Sequence, residues 1–575
     1  MHRLFETTTL RRQIYLDGRW NFALDPDDRG EEERWFEAFP TDADEQWVPS
    51  VWNTTPCYSG YEGPAWYHRT FQVNNCTALV INIGAAAHSA KVWLDREILG
   101  EHFGGFLPFG FVVKRPTPGT HTLIVRVDNA LSDSTIPGTH LDWYRYGGLT
   151  RSVWAEELPG KACIRHFNLL PRLEDGRGVV TVRARILNLT DEPLEDTMRL
   201  EINGERSYAE ALTLASGEER EIAFDVAVPN PRVWQPNDPQ LYLARLSFAG
   251  DDLIERFGLR SIEVSGSRIL LNGRPIKLLG INRHEDHPDW GFAIPGHITA
   301  RDLRIVQDLG FNAMRGAHYP NDPRLLDMCD ERGILFMQEI PLWQFTEEQM
   351  RRPIIRERAR RMLLEMIERD MNHPCIWAWS VLNECATETE GGREMVEMLV
   401  KTAKEADPTR LVTFASNRRL ADICFDLVDV VCINAYYGWY RQEEWAQGLR
   451  PSSAWEALLR ELRKKIGAKP LVISEFGAGA VPGCRGLEGF RWSEDYQRRL
   501  LTELVEFFLG RDDVAGFHIW TLFDFRVDCT DVDRALRRPR GFNNKGLLDE
   551  HRRPKLAYWA IRELLRHEGE NYACR

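Results

Sequence analysis

The chain lacks most of what would direct it to a membrane, a nucleic acid or a cofactor. No apolar run is long enough to span a bilayer, and the opening stretch MHRLFETTTLRRQIYLDG has no apolar core of the signal-peptide kind, so no membrane association is expected. Positive charge is not in excess. Lys and Arg number 73 against 86 Asp and Glu, and a net charge of −13 argues against a general nucleic-acid or anionic-membrane binder. Cysteine is sparse and unpatterned, eleven residues with no CxxC pair, so a reducing, cytoplasmic compartment is expected. No glycine-rich phosphate loop follows a strand and no HExxH motif occurs, so neither an organic cofactor nor a metal is implied. Repeats and low-complexity tracts are absent too.

What is present is an ordinary globular composition, 43% hydrophobic and 28% charged, over 575 residues, too many for one core. From Gly18 to Leu158 short alternating strands such as Ala65–Val73, Ala78–Ile83, Ala90–Leu94 and His121–Asp128 are separated by Gly, Pro and Asn clusters. That pattern predicts a jelly-roll β-sandwich over residues 1–160. A second β block, with strands at Val179–Asn188, Arg220–Val228 and Leu241–Phe248, has the size of an immunoglobulin-like β-sandwich over 161–265 without the Cys-Trp-Cys signature. Asn272-Gly273 then marks a hairpin, and from 266 to 575 strands alternate with helices. One helix is expected to follow Thr299 and stop at Gly310, and another to open at Asp322-Pro323 and stop at Gly333.

Eight strand candidates occupy this last block: 277–281, 312–315, 334–340, 376–382, 411–414, 430–434, 471–474 and 514–520. Eight is the number a TIM (β/α)8 barrel needs, and active sites of that fold sit at the carboxyl ends of its strands. The fourth candidate, in IWAWSVLNE, runs into Asn383-Glu384, and the seventh, in LVISEFG, into Glu475. A single glutamate at a strand end is more often a structural ion pair. Two on strands four and seven can meet across a barrel mouth, and a retaining glycosidase needs carboxyl groups only about 5–5.5 Å apart, one as nucleophile and one as acid and base.

Other strand ends are polar or aromatic. His284 and His318 can donate hydrogen bonds to sugar hydroxyls, Arg315 can hold a nearby carboxylate ionised, and Tyr436, Trp439, Tyr440 and Trp520 can face sugar rings. A metal site built from His284, His287 and His318 is the competing reading, and a histidine satisfied by its neighbours is the plainer one, above all for His287. In GFNNKG, Asn543 and Lys545 can neutralise a carboxylate, although such a stretch usually means a solvated turn.

These stretches together, INRHED (281–286), AHYP (317–320), RDMNHPCIWAWSVLNE (369–384), INAYYGWY (433–440), ISEFG (473–477) and NNKG (543–546), resemble glycoside hydrolase family two, and within it the β-glucuronidases. The resemblance covers nearly the whole chain and implies a retaining exo-acting enzyme on terminal β-D-glucuronides. It implies Glu384 as acid and base, Glu475 as nucleophile, Asn383 at the sugar 2-hydroxyl and Tyr436 beside the nucleophile. By the same resemblance His284, His318 and Trp520 line the sugar pocket, Asp142 in DWYRYGG reaches it from the first domain, and Asn543 with Lys545 bind the uronate carboxylate. A homo-oligomer, dimer or tetramer, is likewise implied.

Three positions depart from the family pattern. An arginine assisting the carboxylate falls near Pro539, leaving Arg538 or Arg540 for the task. Ala435 stands where an arginine is frequent, which makes room for a galacturonide. The 341–353 segment is short, which predicts an open pocket suited to the end of a sugar chain. A β-galacturonidase or β-galactosidase, a non-catalytic carbohydrate-binding protein and a metal-dependent barrel hydrolase are the alternatives.

Overall fold

The computed structural model describes residues 3–174, 176–440, 450–487, 489–528 and 536–572. The N-terminal part packs a six-stranded antiparallel sheet against a four-stranded one. In the six-stranded sheet, Pro64–Val73 pairs along its whole length with Gly119–Asp128, and at its end Phe71 and Val73 point inward while Thr70 and Gln72 face solvent. Trp20, Phe22, Tyr67, Leu79, Ile81 and Val125 fill the space between the sheets, as a two-layer sandwich requires. Next comes a smaller sandwich of three and four strands, in which Arg177–Asn188 alternates strictly and buries Val180, Val182, Ala184 and Ile186.

A hairpin, Arg268–Leu271 with Arg274–Ile276, leads into the last part. Its two turn residues, Asn272 and Gly273, both take positive φ (52° and 74°), the left-handed pair that a two-residue hairpin favours. Eight parallel strands then close a barrel: β1 (Leu278–Arg283), β2 (Ala313–Gly316), β3 (Leu335–Glu339), β4 (Ile376–Asn383), β5 (Leu411–Ser416), β6 (Val431–Asn434), β7 (Leu471–Phe476) and β8 (Gly516–Ile519). The eight expected segments each overlap one of them, and five of the strands run one or two residues further toward the pocket. Every residue of β4 is buried, which is why IWAWSVLN shows no polar alternation.

Helix α1 (Gly296–Asp308) starts earlier than Thr299 suggests. The Pro295 carbonyl, with ψ at 142°, already accepts from the N–H of Ile298 at 2.9 Å, so the first turn forms there and Thr299 lies buried inside the helix. Helix α2 (Pro323–Arg332) opens as the sequence indicates, with the Asp322 carboxylate accepting from the Arg324 N–H at 2.8 Å, and closes on Gly333 at φ 67°.

Both sandwiches dock on the barrel. Residues of the first, including Val51, Phe106, Leu141, Trp143 and Tyr146, share one apolar cluster with Tyr319, Trp343, Trp520 and Phe525 at the barrel mouth. Phe106 stacks on Tyr319 at 4.2 Å between ring centres, and Arg151 reaches Glu285 and the Pro320 carbonyl, both at 2.9 Å. The second sandwich grips the barrel's other end. There Arg260 donates to the carbonyls of Pro374 (2.8 Å) and Ile376 (2.6 Å), and the Trp234 indole donates to that of Asp330 (2.8 Å).

Gly333 is fixed by this packing as well as by its φ, because an added Cβ would lie 2.1 Å from the Pro236 carbonyl oxygen. Gly333→Ala should cost about 1–2 kcal/mol for the left-handed backbone alone, with the clash in addition. A lower thermal midpoint is expected, and a midpoint equal to that of the parent chain would refute the packing described.

Candidate active site

The carboxyl ends of the strands open into a cavity of about 1130 Å³. Glu384, Glu475, Asp142, His284, His318, Asn383, Tyr436, Trp439, Tyr440, Trp520, Asn543 and Lys545, the sequence-derived site residues, all line it. At the end of β4 the chain turns sharply at Glu384, whose φ of 52° is unusual for a residue with a side chain and whose N–H is held by the Ala415 carbonyl at 2.8 Å. Strained backbone of this kind persists where the surroundings over-determine it.

Arg315, at the end of β2 and wholly buried, ties the floor together. Its Nη1 donates to Glu475 Oε1 at 2.7 Å and to Asn282 Oδ1 at 3.0 Å, and its Nη2 donates to Asn383 Oδ1 at 2.7 Å and to Glu339 Oε1 at 2.9 Å. Glu339 in turn accepts from Ser380 at 2.5 Å and pairs with His318 Nδ1 at 2.9 Å. The second oxygen of Glu475 accepts from the Tyr436 hydroxyl at 2.5 Å. Burial pushes the Glu475 carboxyl up to about 7. The Glu384 charge adds to that rise, while Arg315 and the Tyr436 hydrogen bond oppose it.

Glu384 is held by three amides. Asn434 donates to Oε1 at 2.9 Å, and Gln344 and Asn417 donate to Oε2 at 2.9 and 3.0 Å. Asn434 also reaches Asn383 Oδ1 at 3.1 Å and accepts from Ser474 at 2.7 Å. Motif reading assigned no role to Gln344, Asn417, Asn434 or Glu339. Asn434 and Glu339 each close a strand, and that position was the available signal for both. Gln344 and Asn417 lie in loops whose path no local pattern fixes.

On another wall, Asp142 from the first sandwich accepts from Arg538 Nε at 3.1 Å, from Arg538 Nη2, and from Asn543 Nδ2 at 3.1 Å. Lys545 is 2% exposed and donates to the Tyr440 hydroxyl at 2.6 Å, with its ammonium 5.1 Å from the Tyr436 ring centre. Arg540 points elsewhere, to Glu550 at 2.8 Å and Asn544 at 2.9 Å, so of the two arginines it is Arg538 that lines the cavity.

Trp520 stacks on His318 at 5.0 Å and meets His284 edge-on at 5.4 Å. Burial holds both histidines well below their usual range, hence neutral. His284 Nδ1 meets the Tyr319 hydroxyl at 3.2 Å, and its Nε2 is buried with no partner among the described residues. A sugar hydroxyl would satisfy it. His287 lies apart, packed on Trp290 at 4.3 Å and accepting from the Asp289 N–H. Among the described residues His284, His287 and His318 form no ligand set; the groups within ligand reach, His287–Asp289–His551 and Asp330–His373–Cys375, do not line the cavity.

Two glutamates at the ends of β4 and β7 of such a barrel, one of them buried and gripped by a guanidinium and a phenol, define a glycoside hydrolase. The chain belongs to glycosyl hydrolases family 2: the sugar binding domain model matches residues 14–159, a further family 2 model 162–260, and the TIM barrel domain model 262–567. It is 28% identical to the β-glucuronidase of Paenibacillus borealis, covering 99% of each chain, and 28% identical to that of Homo sapiens, covering 95% of this chain and 90% of that one. Among solved structures, it is similar to a β-galacturonidase from Eisenbergiella tayi bound to galacturonate, at 33% identity, TM-score 0.91 and 99% of each chain. A β-glucuronidase from Ruminococcus gnavus in complex with uronic deoxynojirimycin matches at 25% identity and TM-score 0.86, over 98% of this chain and 99% of that one.

The Tyr436 hydrogen bond favours the charged form of Glu475, so its loss should raise the carboxyl further. Tyr436→Phe is expected to move the acid limb of kcat/KM to higher pH and to lower kcat on the order of a hundredfold. A limb that stays in place, or moves down, would contradict this arrangement.

Proposed function

We propose that the chain is a retaining, exo-acting β-uronidase that hydrolyses terminal β-D-glucuronides. The observation that carries this reading is Glu475 bracketed by Arg315 (2.7 Å) and Tyr436 (2.5 Å) in the cavity that also holds Glu384 and Lys545. Glu475 attacks the anomeric carbon while Glu384 gives its proton to the departing oxygen, leaving a glycosyl ester. Glu384, now a carboxylate, takes a proton from water, which attacks the same carbon and releases Glu475. Both hydrogen bonds to the Asn383 amide arrive at Oδ1, so its Nδ2 is available to the sugar 2-hydroxyl. His284, His318 and Trp520 bound the sugar ring, Tyr440 flanks it, and Trp439 faces the unit beyond it.

The uronate carboxylate is received by Asn543 and Lys545, with Arg538 beside them and Asp142 orienting that arginine and the asparagine. Galacturonide is the second reading. It is favoured by the small Ala435 at the cavity wall and by the higher identity to the galacturonidase, 33% against 25%. We propose further that residues 1–160 form a sugar-binding sandwich, 161–265 an immunoglobulin-like one and 266–575 the catalytic barrel. The free thiols among the described residues support a reducing, cytoplasmic setting. No helix among the described residues is long and apolar enough to cross a membrane. A homo-oligomer rests on the family resemblance and is tested by light scattering.

Glu475→Gln should abolish turnover, and Glu384→Gln should slow substrates with poor leaving groups most; equal loss on every leaving group would remove Glu384 from the acid role. On matched p-nitrophenyl β-glucuronide, β-galacturonide and β-galactoside, the uronides should be preferred. Lys545→Ala should cut that preference about tenfold to a hundredfold, the worth of one charged hydrogen bond. The ratio of the two uronides names the epimer, and a preferred galactoside would overturn the uronate clamp.

A further inference from the structure

The cavity exceeds the roughly 300–1,000 Å³ that houses a drug-sized ligand, so one sugar ring leaves much of it empty. Its cations divide into two groups. Arg538 is matched by Asp142 and Arg418 by Glu388, while Lys545 is left for the uronate. Three further guanidiniums on the wall, Arg419, Arg491 and Arg537, have no ion-pair partner among the described residues, in a chain that carries 86 acidic against 73 basic side chains. Arg419 lies over the Tyr437 ring at 4.8 Å and Arg491 over Trp439 at 5.6 Å, two aromatics of the loop that follows β6. Ring contacts orient a guanidinium without cancelling its charge.

The placement of Arg419 tells which part of the substrate it meets. The leaving group departs on the side of the proton donor, and Asn417, two residues from Arg419, donates to Glu384 Oε2 at 3.0 Å. Arg418 clamps the same turn to the Glu384 and Cys385 carbonyls at 3.2 and 3.0 Å. Arg419 and Trp492 both hold left-handed φ, 56° and 75°. Trp492 meets Trp439 edge-on at 4.8 Å, an approach that Gly479 permits, since a Cβ there would fall 2.6 Å from one indole and 2.8 Å from the other. An apolar platform for a sugar ring is thus bordered by unmatched positive charge.

We propose that the leaving-group side of the cavity binds an anionic sugar, so that the preferred substrate is a uronide linked to a second, acidic saccharide unit. This rests on the uronidase reading above. The anion can be a carboxylate or a sulfate ester, and both suit a guanidinium.

The test compares β-uronosyl disaccharides whose second unit is a uronic acid, a sulfated hexose or a neutral hexose, at low and high salt, with p-nitrophenyl β-uronide as the reference. The anionic disaccharides should show a KM about tenfold below that of the neutral one, from the two partly exposed guanidiniums Arg419 and Arg491, and the gap should shrink with salt. Arg419→Gln combined with Arg491→Gln should close it, with an unchanged thermal midpoint showing that the variant is folded. A gap confined to the uronic acid or to the sulfated sugar names the source, and a gap on both assigns the effect to charge alone. Equal KM values for all three disaccharides, or a gap that persists in the double variant, would overturn the proposal. If p-nitrophenyl uronides are not cleaved, the function above fails by itself. Titration calorimetry of the same disaccharides with the wild-type chain then decides this inference by anionic against neutral affinity.

Discussion

Everything at the barrel mouth depends on one buried guanidinium. Arg315 bridges Glu475, Glu339, Asn383 and Asn282, groups contributed by four different strands, with each distance between 2.7 and 3.0 Å. Two carboxylates at the bottom of a pocket repel each other and lose hydration, and a cation between them is what lets both be present. Because the guanidinium is planar with its donors fixed, it also dictates where those carboxylates sit. The position of the Glu475 oxygens is therefore a property of β2 as much as of β7.

The amides around Glu384 play a different part. Gln344, Asn417 and Asn434 orient the carboxyl group without placing a counter-charge beside it. Glu475 has a cation and a phenol; Glu384 has only amides and the turn at its own backbone. Two residues of the same type are thus given environments that differ in charge, the condition under which one residue type can take two chemical tasks.

Much of this was legible in the sequence, and the reasons are local. The barrel strands show themselves as short apolar runs because each is buried on both faces, and IWAWSVLNE ends where the apolar run must end, at the pocket. The Asp322-Pro323 and Gly333 signals work because a cap satisfies backbone groups within a few residues. What could not be read is what depends on loop paths. Choosing between Arg538 and Arg540 needs the backbone at Arg540, whose φ of 65° turns it toward Glu550. Gln344 reaches Glu384 from across 40 residues, and Thr299 misled because Pro295 opens the helix without a side-chain cap.

The bond from Asp142 to Arg538 spans 396 residues of the 575. In a chain made from its amino end, the aspartate leaves the ribosome early and the arginine close to the finish. Until the last barrel loop emerges, Asp142 has neither Arg538 nor Asn543 to hold, and the wall that it shares with them does not exist. The pocket is a closure formed between the first and last folded parts of the protein, so an incomplete chain carries both glutamates and still lacks a complete binding site.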